Sequence, residues 1–330
     1  MLKSLTLIIP HLNPLLEGGS SDGVAQWPNL ARLAGRGSIA KRTIDTKLEP
    51  LHGAVIESIG LRGASDHYPS AAVIRIGASG ERATGFWLRA QPIHFAAGLD
   101  RLTTVVLRGA ARMSEAERTL LEPIFIEHLQ SSGLQLHHAS NDEWLLRSDV
   151  SLQLQTVSPE FAAANPRAEI LPRGPDAGAL RRLMTEMQML LHEHPVNARR
   201  QARGLPVINA IWIHGEGMLG DIAPASLPEA WGEDLYLRGI YRLHDKPVKA
   251  LPVDATTLFS QLQGASVAVI EVPDLDALES KWLAPLSRAL RGGTIAKLTL
   301  MLDEWQVTAD RAAMFKLWRR ERPPMEWSTC

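Results

Sequence analysis

Two nearly continuous apolar runs, VINAIWI (Val207 to Ile213) and SVAVIEV (Ser266 to Val272), limit what this chain can become. A strand with no polar face must be covered on both sides, as a central strand of a parallel sheet is. Helical spacing flanks both runs. Between Asp176 and His194, the residues Leu180, Leu183, Met184, Met187, Leu190 and Leu191 share one stripe, and His194 falls on it. Pro195 disfavours helical geometry in the residue before it, so that helix is expected to stop there. After SVAVIEV, Asp276 and Glu279 open a helix that Gly292 and Gly293 close, and KLTLMLDEW from Lys297 supplies another strand. A last helix is expected from about Thr308 to LWRRERPP, where two prolines end it.

The amino-terminal part starts with a strand at Leu5 to Ile9 and a Gly/Ser loop. A helix in WPNLARLAGRG follows, with Pro28 in its first turn and Gly35 and Gly37 at its end. Leu51 to Leu61 reads as a further short helix. From Ser70 to Pro166 the pattern changes. AAVIRIG, GFWLRA, LTTVVLRG and SLQLQTV read as strands, and GLQLHHASNDEWLLRS as a hairpin turning at ASND. Ser114 and Glu117 form a capping box for a helix that runs towards Gly133, with Pro123 as a point of kinking. The expected fold is therefore α/β: a doubly wound, mostly parallel sheet core from residues 1–69 and 166–330. An antiparallel α+β unit, residues 70–165, is inserted in it.

Charge and cysteine content narrow the function classes. A net charge of -1 over 330 residues, without a basic tail, argues against a nucleic-acid partner. No apolar stretch approaches the roughly 20 residues of a membrane span, and MLKSLTLIIPHLNPLL is too interrupted for a secretory signal. The single cysteine is Cys330, so no intrachain disulfide forms and a cytoplasmic location is expected.

Two constellations carry candidate chemistry. The first lies in LLHEHPVNARRQARG. Arg199, Arg200 and Arg203 with Asn197 and His194 suit a phosphate or carboxylate, since guanidinium forks pair with planar anions. The plainer alternative is a solvated face and a helix-end histidine. His192 and His194 stand roughly 200° apart on a helix and cannot share a metal from one face. The second constellation lies at strand ends, where open α/β sheets bind ligands. His11 and Asn13 follow the first strand, His214 and Glu216 follow VINAIWI, Asp274 follows SVAVIEV, and Asp303 follows KLTLML. If they converge, His214, Glu216, Asp274 and Asp303 could ligate a divalent metal such as Mn²⁺ or Zn²⁺. Otherwise they are polar residues collecting at a surface. No G-x-S-x-G elbow is present to support a serine nucleophile. Trp87 and Trp144 read as core packing, with the flank of a ligand groove as the alternative.

The blocks GFWLRAQPIHFAAGLDRLTTVVL, LPRGPDAGALRRLMTEMQMLLHEHPVNARRQARGLPVINAIWIHGEG and LWRRERP resemble the RpfE-type regulatory proteins of bacteria. These are grouped with cofactor-independent phosphoglycerate mutases in the alkaline-phosphatase superfamily. WPNLARLAGRG resembles the PNL-x-x-L-x-x-x-G segment that follows the first strand in that superfamily. The resemblance implies a core with an insertion. The positions carrying its chemistry differ. Where a metal-binding aspartate ends the first strand, this chain has Pro10 and His11, and where an Asp-His pair is usual it has Asp303-Glu304-Trp305. Thr43 and Thr46 stand near the place of the nucleophile without a clear motif. The resemblance thus implies a regulatory or binding protein with a degenerate core, recognising a small anionic metabolite (phosphorylated or carboxylated). One alternative is a metal-dependent phosphoryl-transfer enzyme of the phosphoglycerate mutase kind. Another is a protein-interaction scaffold, which an exposed apolar patch would mark.

Overall fold

A computed structural model gives the structure of the protein and describes residues 3–12, 27–43, 45–61, 67–97, 102–140, 143–220, 227–271 and 274–329. At its centre is strand β1 (Ser4–Ile9). It pairs in parallel with β10 (Ala265–Val269) on one side and β11 (Lys297–Leu302) on the other. Beyond β10 lie β8 (Glu229–Trp231) and β9 (Val248–Lys249), also parallel. Beyond β11 the direction reverses. The chain turns at Asp303 and Glu304 into β12 (Trp305–Asp310), and β2 (Ser38–Lys41) pairs antiparallel to β12 at the edge. The sheet order is β2-β12-β11-β1-β10-β8-β9.

Both faces of this sheet are covered, because its strands are apolar at alternate positions towards each layer. Leu5, Leu7 and Ile9 of β1 meet Leu30 and Leu33 of α1 (Pro28–Arg36) in one core, together with Trp282, Leu286 and Leu290. Ile8 and Val267 point the other way. They join Val55 of α2 (Pro50–Ser58), Val73 of α3 (Ser70–Ser79) and Tyr236 and Ile240 of a helix at Leu235–Leu243. The expected α/β fold, doubly wound on a largely parallel sheet, is present.

A second, antiparallel sheet contains β3 (Phe86–Ala97), β4 (Leu102–Val106), β5 (Leu134–Ser140) and β6 (Glu143–Ser148) in the order β4-β3-β6-β5. On its far side β3 pairs antiparallel with β7 (Ala210–Gly217). This corrects the reading of VINAIWI as a central parallel strand of the core. Ile211 and Ile213 pack with α4 (Glu115–Ser131) and, further on, the helix at Ala177–His192, while Trp212 packs with Ile93 and Ala162 and donates to the Val157 carbonyl at 2.8 Å. A strand sandwiched between layers is apolar on both faces whichever way it runs. The second sheet takes strands from Phe86 to Ser148 and also β7, which lies beyond residue 165.

Three local expectations are also corrected. AAVIRIG lies in the helix α3, whose residues are buried almost all round, so neither a strand nor a helix periodicity shows. SLQLQTV makes only one isolated bridge, Gln155 with Arg173. In place of a helix from Thr308 there is the strand β12, then short helical segments at Ala313–Phe315 and Pro324–Thr329. The capping box reads true: the Ser114 hydroxyl accepts from Glu117 N–H, and Glu117 Oε2 accepts from Ser114 N–H at 2.8 Å. Among the described residues no helix is long and apolar enough to cross a membrane.

Candidate ligand-binding crevice

The carboxyl ends of β1 and β11 lie side by side, with Ile9 opposite Leu302. His11, just past β1, has φ 62, and Asp303, just past β11, has φ 45. Both are non-glycine residues in the left-handed region, which costs on the order of 1 kcal/mol each and concentrates at functional sites. They are joined: the His11 N–H donates to Asp303 Oδ1 at 2.9 Å. The Asp303 turn is clamped from behind by Arg42. Its guanidinium donates to the Asp303 carbonyl and to Glu57, and its N–H to the Glu304 carbonyl at 2.7 Å.

Facing that edge is a buried ionic network. Arg89 of β3 forks onto Glu143 of β6 (2.5 and 2.8 Å), and its remaining nitrogen donates to Glu49, which precedes α2. Burial alone would discharge these groups. Instead the two carboxylates hold the Arg89 guanidinium above its ordinary pKa, and at Glu49 the upward push of burial is overcome by Arg89 acting together with His52, His214 and His11, so that Glu49 stays well below the usual carboxylate range. Around this core the histidines are neutral. Burial pushes His52 of α2 down to about 3, and His214 of β7 well below its ordinary value with Arg89 adding to the effect. His52 stacks on Tyr236 with ring centroids 4.1 Å apart. Burial also lowers His11, followed by the charge of Arg108.

The acids beyond the fork are pushed the other way. Burial, and then the Glu49 charge, raises Glu160 to about 8. Arg108, 3.4 Å from it, therefore faces a largely protonated carboxyl near neutral pH. Burial raises Asp234 to about 6, although its side chain caps Leu237 N–H at 2.8 Å. Several buried polar atoms have no hydrogen-bond partner among the described residues: both ring nitrogens of His214, His52 Nδ1, Ser70 Oγ, Glu160 Oε2 and Arg108 Nε. The Ser70 hydroxyl lies so close to Gly215 (φ 67) that a Cβ there would meet it at 2.2 Å, which explains the glycine after His214. Unpaired buried polar atoms cost about 1–3 kcal/mol each, so their concentration here marks a place built for a polar occupant, water or ligand.

The sequence-derived candidates divide. Of the strand-end set, His11, His214 and Asp303 border the crevice. Asn13 lies outside the described residues. Glu216 is bound by Thr156, through its N–H (3.0 Å) and its hydroxyl. Asp274 is exposed and caps Ala277 N–H at 2.7 Å. Among the described residues, no three His, Cys, Asp or Glu side chains gather so as to hold a metal ion.

The arginine set is not one pocket. Pro195–Ala202 is a helix rather than a loop, and His194 is its N-cap, accepting from Val196 N–H at 3.3 Å. Asn197 is buried and laces Leu191 to Ile208: it donates to both carbonyls (2.8 and 2.7 Å) and accepts from Ile208 N–H (2.8 Å). Arg200 is buried against Glu117 at 3.0 Å and donates to the Pro206 and Ala111 carbonyls. Arg199 and Arg203 point into solvent. Sequence reasoning missed Glu49, His52, Arg89, Arg108, Glu143 and Glu160. The available signal was a charged or imidazole group inside an apolar element, as in GFWLRA and PLHGAVIES.

No family model matches the chain. A stretch of 59 residues is 44% identical to the 2,3-bisphosphoglycerate-independent phosphoglycerate mutase of Methanothrix thermoacetophila, spanning 18% of this chain and 15% of that protein. Among solved structures, the chain is similar to a cofactor-independent phosphoglycerate mutase from Thermoplasma acidophilum. The identity is 14% and the TM-score 0.41, covering 99% of this chain and 95% of that one. A Pyrococcus horikoshii protein of known structure gives 16% identity and a TM-score of 0.44, covering 94% and 87%.

Proposed function

We propose that the protein is a binding protein with a regulatory role, of the RpfE type, working in the cytoplasm, and that the crevice between the sheets takes a small phosphorylated or carboxylated metabolite. One observation carries this reading. Arg108, just past β4 of the second sheet, acts by its charge on His11 at the carboxyl edge of the parallel strands and lies 3.4 Å from Glu160, a buried carboxyl that burial pushes up to about 8. A guanidinium whose neighbour is neutral keeps its charge for an incoming anion. The protonated Glu160 and the unpaired His214 ring can supply further hydrogen bonds. The Arg89 fork, saturated by two carboxylates, builds the wall and is not itself a ligand for the anion.

The short identity with a phosphoglycerate mutase suggests the probe. Titration calorimetry with 3-phosphoglycerate, and with glycerate for comparison, should show binding of the phosphorylated compound that Arg108→Gln removes. Absence of heat at millimolar ligand would reject the proposal. Conversion of 3- to 2-phosphoglycerate by the purified protein would replace it with the mutase reading.

A further inference from the structure

Outside the crevice, at the β2 edge of the first sheet, a groove of about 460 Å³ is floored by Ala34, Gly35, Gly37, Ser38 and Ile39 and walled by Arg319, Arg320 and Arg322. The carboxy-terminal segment makes this wall by lying across α1. Arg322 N–H donates to the Ala31 carbonyl at 2.9 Å, and Arg319 donates to the Gly37 carbonyl at 3.1 Å. Gly35 permits the crossing, since a Cβ there would sit 2.2 Å from the Arg320 carbonyl.

The groove carries more arginines than carboxylates: Arg32 pairs with Glu321 at 3.2 Å and Arg320 with Glu326 at 3.1 Å. Arg36 and Arg319 donate only to backbone carbonyls and form no ion pair among the described residues. Arg36 Nε is buried without a partner among the described residues; Arg32 and Arg291 add like charge, which Glu321, paired with Arg32, offsets in part. The one carboxylate on Arg320, Glu326, is at the surface, where such pairs contribute little.

Beside the arginines runs a sheet edge. The Arg42 N–H points to Glu304, so by the alternation of an antiparallel ladder the N–H groups of Lys41 and Ile39 point away from β12. Among the described residues no strand pairs with that side of β2. The same carboxy-terminal segment exposes Phe315, Leu317, Trp318 and Met325, with Trp318 81% exposed. Exposed aromatic and arginine side chains in one place are the composition of an interface centre.

We propose that this groove docks an extended acidic segment of a partner protein. That segment adds as a strand to β2, places its carboxylates on Arg319 and Arg320, and sets an apolar side chain against Trp318. Backbone pairing supplies the register, and the arginines select against basic or neutral strands.

The test uses the full chain and a short fluorescein-labelled peptide of alternating acidic and aliphatic residues, read by fluorescence anisotropy. Three weakened outcomes are expected: about tenfold with Arg320→Glu, a similar loss with Trp318→Ala, and abolition when lysines replace the acids. N-methylation of alternate peptide amides should also abolish binding, because it removes strand addition and leaves the charge. Both substituted side chains are solvent-exposed, and circular dichroism checks that the fold is kept. No binding by the acidic peptide, or equal binding by the N-methylated one, would overturn the proposal. So would sedimentation showing a concentration-dependent dimer that Trp318→Ala dissolves, because the face would then belong to a second copy of this chain.

Discussion

Arg199 and Arg200 are neighbours in sequence with opposite surroundings, one in solvent and the other sealed against Glu117. Removing one partner of a buried ion pair strands the other, so Arg200→Met should lower stability by about 3 kcal/mol. Arg199→Ala and Arg203→Ala should stay within about 0.5 kcal/mol. Urea midpoints for the three variants check this. The sequence showed three arginines in a polar stretch. It could not show that the partner of the middle one lies 83 positions earlier. A second residue-scale prediction concerns pH. Glu160 titrates at about 8 in the folded protein, above the ordinary 4.5. Its contribution is therefore fully present below pH 4.5 and is lost as pH rises towards 8. Glu160→Gln should flatten this loss, raising the urea midpoint at pH 8 relative to pH 5 by an amount equivalent to at least about 1 kcal/mol. His52 works in the opposite sense. Folded at about 3 against an ordinary 6.5, it stabilises above pH 6.5, and that stability drains away as pH falls towards 3.

Among elements, those with one wet and one dry face were legible. The helix at Ala177–His192, the capping box at Ser114 and the hairpin of β5 and β6 all follow from periodicity and end signals. Elements dry on every side were not. β7 hid its direction and α3 hid its periodicity, because complete burial removes the polar positions that would reveal either. α3 also shows how closely its backbone meets the helix at Leu235–Leu243. A Cβ on Gly77 would lie 1.8 Å from the Leu235 carbonyl, and one on Gly239 2.1 Å from the Val73 carbonyl. Gly239→Ala must separate two backbones, with no flexible side chain to yield. It should cost about 2 kcal/mol and show as faster hydrogen exchange in both helices, while β5 and β6 keep their protection.

At the scale of the whole molecule, the crevice is assembled from residues that no window of sequence contains together. The rule that ligands bind at strand ends pointed to His11 and Asp303, which lie just past β1 and β11, whereas His214 lies within β7 and the wall facing that edge comes from the other sheet. Arg89 ties the two layers, reaching Glu49 ahead of α2 and Glu143 in β6. Arg89→Met would leave two carboxylates buried together without a cation. We expect a loss of more than about 3 kcal/mol and a thermal transition that broadens or splits as the sheets uncouple, measured by scanning calorimetry.

The place of β1 has a consequence for how the chain is made. Ser4 pairs with Ala265 and with Lys297, so β1 leaves the ribosome long before either of its partners. The second sheet, whose strands fall between Phe86 and Gly217, can close while synthesis is still under way. Until then a short apolar strand hangs without neighbours. Such an interval is when nascent chains are captured by chaperones or by one another. Stalled chains ending before residue 265 should accordingly protect the second sheet from protease and leave residues 4–9 open to it.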